Sequence, residues 1–226
     1  TRYKLVTGVQ TCALPILSDY RKSYDKSELL ENTIPDDAIQ LFHNWFYEAE
    51  EQENGEVNAM TVSSIGLDGF PKSRVVLLKK FNEEGFIFYT NYNSEKGKAI
   101  LQHPNVCISF FWPILERQVI IKGIAEKTSD TISDNYFDSR PEGSKLGAIV
   151  SNQSEVIPSR AFLDEKLKNL EKEVSGSEIK RPENWGGFLV KPVEVEFWQG
   201  RANRLHDRIR YKLEEDFSWK IDRLSP

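Results

Sequence analysis

Ala59-Met-Thr-Val-Ser-Ser-Ile65, Ser73-Arg-Val-Val-Leu-Leu78 and Phe86-Ile-Phe-Tyr-Thr90 are three short runs rich in β-branched and aromatic residues. Turn formers separate them, Leu67-Asp-Gly69 after the first and Asn82-Glu-Glu-Gly85 after the second. Runs of this length bounded by Gly, Asn and Asp read as strands joined by hairpins. Working outward, Val106 to Trp112 and Gln118 to Ala125 continue the pattern, which predicts a five-strand antiparallel meander. Strand signals return in the tail at Gly187 to Gln199, Arg204 to Tyr211 and Ser218 to Leu224. Helices flank this framework. From Asp36, Ile39, Phe42, Trp45 and Phe46 recur three and four apart behind an acidic start that suits the helix dipole. Ser94, Ser129 and Ser159 are placed to cap three more, the first ending before Pro104 and the second reaching Phe137. The third carries Leu163, Leu167, Leu170 and Val174 as one apolar stripe, which predicts core packing. The expected fold is therefore mainly antiparallel β with flanking helices, an antiparallel barrel. No GxGxxG follows a strand, so a dinucleotide-binding parallel sheet is not indicated.

A chain of 226 residues, 39% of them apolar, can bury a sizeable core in one domain, expected over 36–226. The first sixteen residues lack the acidic and aromatic character of the rest of the chain and read as a foreign or disordered leader. Residues 17–35 form an N-terminal arm. No apolar run approaches the roughly 20 residues that span a bilayer. A formal charge of −5 argues against a protein that coats nucleic acid, so any anion site must be local. Two cysteines, Cys12 and Cys107, stand far apart with no CxxC spacing, and a reducing, cytoplasmic setting is expected.

Several clusters have chemical potential. In Arg201-Ala-Asn-Arg204-Leu-His-Asp-Arg208, an extended strand would turn Arg204, His206 and Arg208 to one face. Such a row suits a phosphate and an electron-rich ring, and equally fits a solvated strand face. Lys72, Arg74, Lys79 and Lys80 bracket the apolar run Val75 to Leu78. Arg74 and Lys79 have opposite parity, so either a bulge intervenes or they serve different groups. Flanking charges that guard a strand from aggregation would look the same. Ser139-Arg-Pro141 and Gln153-Ser154 lie beside expected helix ends, where free N–H groups favour phosphate. Trp185 precedes Gly186-Gly187 and Trp198 precedes Gln199-Gly200, and either ring could wall an aromatic cofactor or simply fill the core. His43, His103 and His206 show no ligand spacing, which makes a metal site improbable. Neither a nucleophile elbow nor a P-loop occurs.

Taken in order, Arg74-Val-Val-Leu-Leu-Lys79, Phe88-Tyr-Thr-Asn91, Leu115-Glu-Arg-Gln118, Tyr136-Phe-Asp-Ser-Arg-Pro141, Gln153-Ser154, Trp185-Gly-Gly-Phe188, Phe197-Trp-Gln-Gly200, Arg204-Leu-His-Asp-Arg208 and Trp219-Lys-Ile-Asp-Arg-Leu-Ser-Pro226 resemble the pyridoxine/pyridoxamine 5'-phosphate oxidase family. The resemblance runs from about Asp19 to Pro226. It implies a homodimeric FMN-binding split β-barrel with flavin at the subunit interface. It further implies oxidation of pyridoxamine and pyridoxine 5'-phosphates by oxygen to pyridoxal 5'-phosphate, with release of hydrogen peroxide, the last step of vitamin B6 cofactor synthesis and salvage. On the same basis FMN contacts fall on Arg74, Val75, Val76, Leu77, Leu78, Lys79, Tyr89, Thr90, Lys96, Gln118, Gln153, Ser154, Trp198 and Arg208. Trp198 matches the family's flavin contact better than Trp185. Substrate contacts fall on Lys79, Tyr136, Arg140, Ser144, Arg204, Leu205 and His206, with Arg21 and Tyr24 as an N-terminal lid. Arg204 and His206 are the catalytic pair. One departure is Glu95, where many relatives carry Arg. Its carboxylate should weaken phosphate binding unless it points away or pairs with Lys96 or Lys98. Two rivals are another split-barrel flavoprotein, such as a flavin reductase, and a noncatalytic protein that stores FMN or pyridoxal phosphate.

Overall fold

A computed structural model describes residues 22–174 and 177–226. The leader, Arg21 and the first part of the arm lie outside the described residues. In chain order the elements are α1 (Ala38–Gln52), β1 (Ala59–Ile65), β2 (Pro71–Leu77), β3 (Lys80–Asn82), β4 (Gly85–Asn91), α2 (Glu95–Gln102), β5 (Asn105–Trp112), β6 (Arg117–Lys127), α3 (Asp130–Asp138), α4 (Glu142–Val150), α5 (Arg160–Glu173), β7 (Trp185–Gln199), β8 (Asp207–Leu213) and β9 (Trp219–Leu224). Among the described residues nine strands form one sheet ordered β2-β1-β5-β6-β7-β4-β3, with β8 on β7 and β9 on β8. Every pairing is antiparallel. The sheet curls until the Lys79 N–H just beyond β2 donates to Ile87 O of β4 at 2.9 Å. This is the split barrel that the resemblance implies.

Alternation along β1 and β5 sends Met60, Val62, Ile108 and Phe110 inward, and α1 closes over them. Asp37 caps α1 by accepting the Gln40 N–H at 2.8 Å. Its apolar stripe places the fully buried Phe42 among Phe81, Phe86 and Phe110, with ring centroids 4.9 to 5.2 Å apart. Truncating such a ring to Ala costs about 3–5 kcal/mol. Arg117, buried at the start of β6, is matched by Gln199 at 2.8 Å and by Glu48, and lies over the Trp45 ring. That pairing ties α1 to β6 and β7.

The long strand β7 does double duty: its first half pairs with β4 and its second half with β8. Pro192 has no N–H to give the ladder, and the register with β6 slips beside it, between Lys122 and Gly123. Gly123 suits that slip, since a Cβ there would come within 2.6 Å of the Lys191 carbonyl oxygen.

Ser94, Ser129 and Ser159 cap α2, α3 and α5 as expected, accepting N–H bonds at 3.1 to 3.3 Å. The stripe on α5 departs from expectation. Leu163, Leu167, Leu170 and Val174 are only half-buried and no residue of α5 is buried, because the helix lies on the outside against α4. The helix α4 was not signalled: Pro141 precedes it without a side-chain cap. Among the described residues no helix is long and apolar enough to cross a membrane.

Candidate active site

A cavity of about 790 Å³ opens where β2, the end of β4, α2, α3, α4 and the chain after α4 converge. That volume suits a small-molecule site. Because β2 ends at Leu77, Arg74 on the strand and Lys79 beyond it line the same cavity despite their parity. Lys96 from the first turn of α2 and Arg140 from the end of α3 complete four cationic side chains. Among the described lining residues none is Asp or Glu. Four like charges lining a cavity with no carboxylate in its wall, only Arg74 being paired from outside it by Glu95 at 3.6 Å, suit a polyanion.

Two of these cations are strained electrostatically. Lys96 donates to Thr90 Oγ1 at 2.5 Å and to Gln153 Oε1 at 3.3 Å. Burial, and then the Arg74 charge, lower its pKa to about 8. Arg140 lies 4.6 Å above the Trp185 ring, and its Nη1 is buried without a hydrogen-bond partner among the described residues. Burial pushes its pKa down, with Tyr136 opposing. A buried guanidinium nitrogen lacking an acceptor is costly unless a ligand supplies one. Beside these charges Tyr89, Tyr136 and Trp185 stack nearly parallel, Tyr89 and Tyr136 at 3.8 Å and Tyr89 and Trp185 at 5.6 Å. Burial first, then Tyr136, raises the Tyr89 pKa, so that phenol stays neutral.

A second cluster forms at the far end of β7. Gln118 of β6 and Arg208 of β8 are both register partners of Trp198, so the three form one row on one face of three strands. Phe197, alternating with Trp198, is in the core, so the row is on the outer face. Arg208 is held by Glu196 at 2.7 and 3.1 Å and by Ser225 O at 2.9 Å. The His206 ring lies 4.7 Å from Trp198, and Tyr24 of the arm packs against both at 5.7 and 5.8 Å. The Arg201 N–H donates to His206 Nδ1 at 3.0 Å, so a neutral ring carries its proton on Nε2.

The expectation that Arg204, His206 and Arg208 share one face of an extended strand is corrected here. β8 begins only at Asp207, and Asn203 and Arg204 take φ of 58° and 62°. Two successive left-handed residues break strand alternation and build a tight turn that leaves Leu205 69% exposed.

Of the residues singled out in the sequence, Arg74, Val75, Val76, Leu77, Lys79, Tyr89, Thr90, Lys96, Tyr136, Arg140, Ser144, Gln153 and Ser154 line the cavity. Gln118, Trp198, Arg208, His206 and Tyr24 gather in the second cluster, with Arg204 and Leu205 on the adjoining turn. Trp185 and Trp198 stand at opposite ends of β7, up to about 40 Å apart at the rise of a strand. Leu78 joins neither group: its side chain is in the core, and Asn58 takes both its backbone N–H and its carbonyl. Glu95 pairs with Lys72 at 3.1 Å and Arg74 at 3.6 Å, not with Lys96 or Lys98. Of the two candidate tryptophans, Trp185 lines the cavity and Trp198 stands in the second cluster. Sequence reasoning missed Asn91, Gly147 and Ala148, the last two because α4 carries no cap signal.

The class these features define is a curled antiparallel split barrel with a cationic, ring-lined cavity. A family model described as pyridoxamine 5'-phosphate oxidase matches residues 48–172, and one described as the pyridoxine 5'-phosphate oxidase C-terminal dimerisation region matches residues 185–226. The pyridoxine/pyridoxamine 5'-phosphate oxidase of Flavobacterium johnsoniae is 76% identical over 210 residues, covering 92% of this chain and 98% of that one. Its counterpart in Flavobacterium psychrophilum is 70% identical over 93% of this chain and 99% of its own length. The chain belongs to the pyridoxine/pyridoxamine 5'-phosphate oxidase family, whose members are oxidoreductases. Among solved structures, PhzG from Burkholderia lata, in complex with tetrahydrophenazine-1-carboxylic acid, superposes with a TM-score of 0.81 at 25% identity, over 89% of this chain and all of that one. A pyridoxamine 5'-phosphate oxidase-related, FMN-binding protein from Nostoc punctiforme shares the fold at a TM-score of 0.66 and 16% identity, over 82% of this chain and 97% of that one.

Proposed function

We propose that this protein oxidises pyridoxamine 5'-phosphate and pyridoxine 5'-phosphate to pyridoxal 5'-phosphate, using FMN and oxygen and releasing hydrogen peroxide; from the amine, a water molecule hydrolyses the resulting imine to the aldehyde and ammonia. The observation that carries the reading is the cavity with four cations and, among the described residues, no lining carboxylate and no hydrogen-bond partner for the buried Arg140 Nη1 beside stacked rings. Those residues fit two phosphorylated, aromatic ligands. Arg74, Lys96, Gln153 and Ser154 would hold the FMN phosphate, and Tyr89 and Thr90 its neighbourhood. Lys79, Tyr136, Arg140 and Ser144 would clamp the substrate phosphate. FMN, when bound, supplies the two-electron acceptor and passes those electrons to oxygen. The chain's own part is to orient the substrate, with Arg204 and His206 stabilising charge that develops on the substrate ring.

Arg204, His206, Gln118, Trp198 and Arg208 share no cavity with Lys79 and Arg140 within one chain, so the reading requires a homodimer in which each site takes one cluster from each subunit. Three observations support it: the match of residues 185–226 to a dimerisation region, the cross-strand row on the outer sheet face, and the exposed apolar side chains Ile65, Val75 and Phe111 on that same face. A closed two-fold pairing would bury them and complete two equivalent sites.

The test is anaerobic addition of pyridoxamine 5'-phosphate to the purified flavoprotein. Bleaching of the flavin absorbance, followed by oxygen uptake when air is admitted, is expected. A flavin that stays oxidised would leave a storage protein, and one reduced by a nicotinamide but not by the phosphorylated amine would leave a flavin reductase.

A further inference from the structure

Glu116 stands in the Leu115-Glu-Arg-Gln118 motif, between β5 and β6, and no role in the proposed site falls on it. Its backbone is left-handed, φ 56°, and its side chain is completely buried. A buried carboxylate needs partners. These come from the N-terminal arm: Oε2 accepts the backbone N–H of Asp25 at 2.9 Å and of Lys26 at 3.2 Å, while Oε1 faces the Lys22 ammonium at 3.3 Å. The Glu116 carbonyl oxygen accepts the Gly200 N–H at 2.8 Å, so the same residue grips the end of β7. Between the bonded positions sits Tyr24, edge-on to Trp198 and tilted over His206. The arm passes so close to Gly200 that a Cβ there would lie 2.8 Å from Tyr24 Cβ.

We propose that Glu116 is a positioning residue: its buried carboxylate latches the arm at Lys22–Lys26 and so holds Tyr24 against the Trp198–His206 pair, where it closes the substrate side of the site. The closing role rests on the functional reading above; the latch itself does not. The rest of the arm is fastened separately, through the Leu29 N–H to Asp207 at 3.1 Å and through Arg201 to Glu28 at 3.0 Å. Loss of the Glu116 carboxylate therefore frees only the segment that carries Tyr24.

The test compares the full-length wild type, Glu116→Ala, Tyr24→Ala and the double variant. Limited trypsin cleavage after the exposed Lys26, followed by mass spectrometry, reads the latch directly. Two hydrogen bonds to a charged acceptor are lost, so Glu116→Ala should be cut about tenfold faster. In steady state, Glu116→Ala should raise KM for pyridoxamine 5'-phosphate about fivefold with kcat within twofold, and should add nothing in the Tyr24→Ala background. Cleavage at the wild-type rate, or an additive rise in KM in the double variant, overturns the proposal. Should Glu116→Ala not fold, Gly200→Ala pushes the same ring away with Glu116 intact; a comparable rise in KM is expected, and an unchanged KM overturns the proposal. A wild type that does not oxidise the substrate sinks the functional reading, while the cleavage rates still decide the latch.

Discussion

Lys96 sets a pH dependence on anion binding that can be worked from its surroundings. In the ligand-free protein burial and Arg74 hold its pKa at about 8 against an ordinary value of 10.5. A phosphate placed beside it favours the ammonium, so binding takes up a proton wherever the free protein has lost it. The sign follows: affinity is full below the free-protein pKa and falls as pH rises through it. At pH 7 roughly nine-tenths of the free protein carries the ammonium, and at pH 9 roughly one-tenth, so FMN binding should weaken by about tenfold across that interval. A phosphate monoester has its second pKa near 6 and stays dianionic throughout, and the arginines do not titrate. The assay is titration of apoprotein by quenching of FMN fluorescence at pH 7, 8 and 9. Lys96→Met should bind more weakly at pH 7 and lose the slope. A slope that survives in Lys96→Met would refute the reasoning, as would a wild type with no slope.

Three further outcomes follow from the geometry. Glu95→Gln removes a carboxylate that engages Arg74 at 3.6 Å at the surface, a pair worth about 0–1 kcal/mol, so FMN should bind up to about fivefold tighter in the same titration, and looser binding would contradict it. Arg204→Met should depress turnover with pyridoxamine 5'-phosphate while leaving FMN retained through gel filtration; full turnover would remove Arg204 from the chemistry. Mixing inactive Arg140→Ala and Arg204→Met subunits and allowing exchange should restore about a quarter of wild-type activity, because half of the dimers then hold one intact site. If both clusters acted within one chain, no activity would return.

The strands, their antiparallel sense and three serine helix caps were legible because each rests on local chemistry: alternation, turn residues and a side-chain oxygen at the right offset. The order was not: in place of a five-strand meander, β5 pairs with β1 and β4 with β7, contacts between distant segments that no turn residue signals. Cations destined for the cavity were legible too, as types and spacings. What misled was parity. Arg204 and His206 look like strand residues, yet Asn203 and Arg204 turn left-handed, in a turn closed by the Leu205 N–H to Ala202 O at 3.2 Å and the Arg201 N–H to His206 Nδ1 at 3.0 Å. The α5 stripe has the period of a core helix, but nothing in its pattern says that α4, itself hard to see behind Pro141, would take only part of it.

Sequence by itself determined which residue types were present to bind phosphate and rings, and that the chain would curl as antiparallel β, since both follow from side chains read within a few positions of one another. Tertiary structure alone decided that these groups fall into two clusters at opposite ends of β7, with Trp185 lining one and Trp198 in the other. Register across β6, β7 and β8 is set by contacts between distant segments, and the slip at Pro192 and Gly123 fixes it. Long-range pairing of that kind has no local signature.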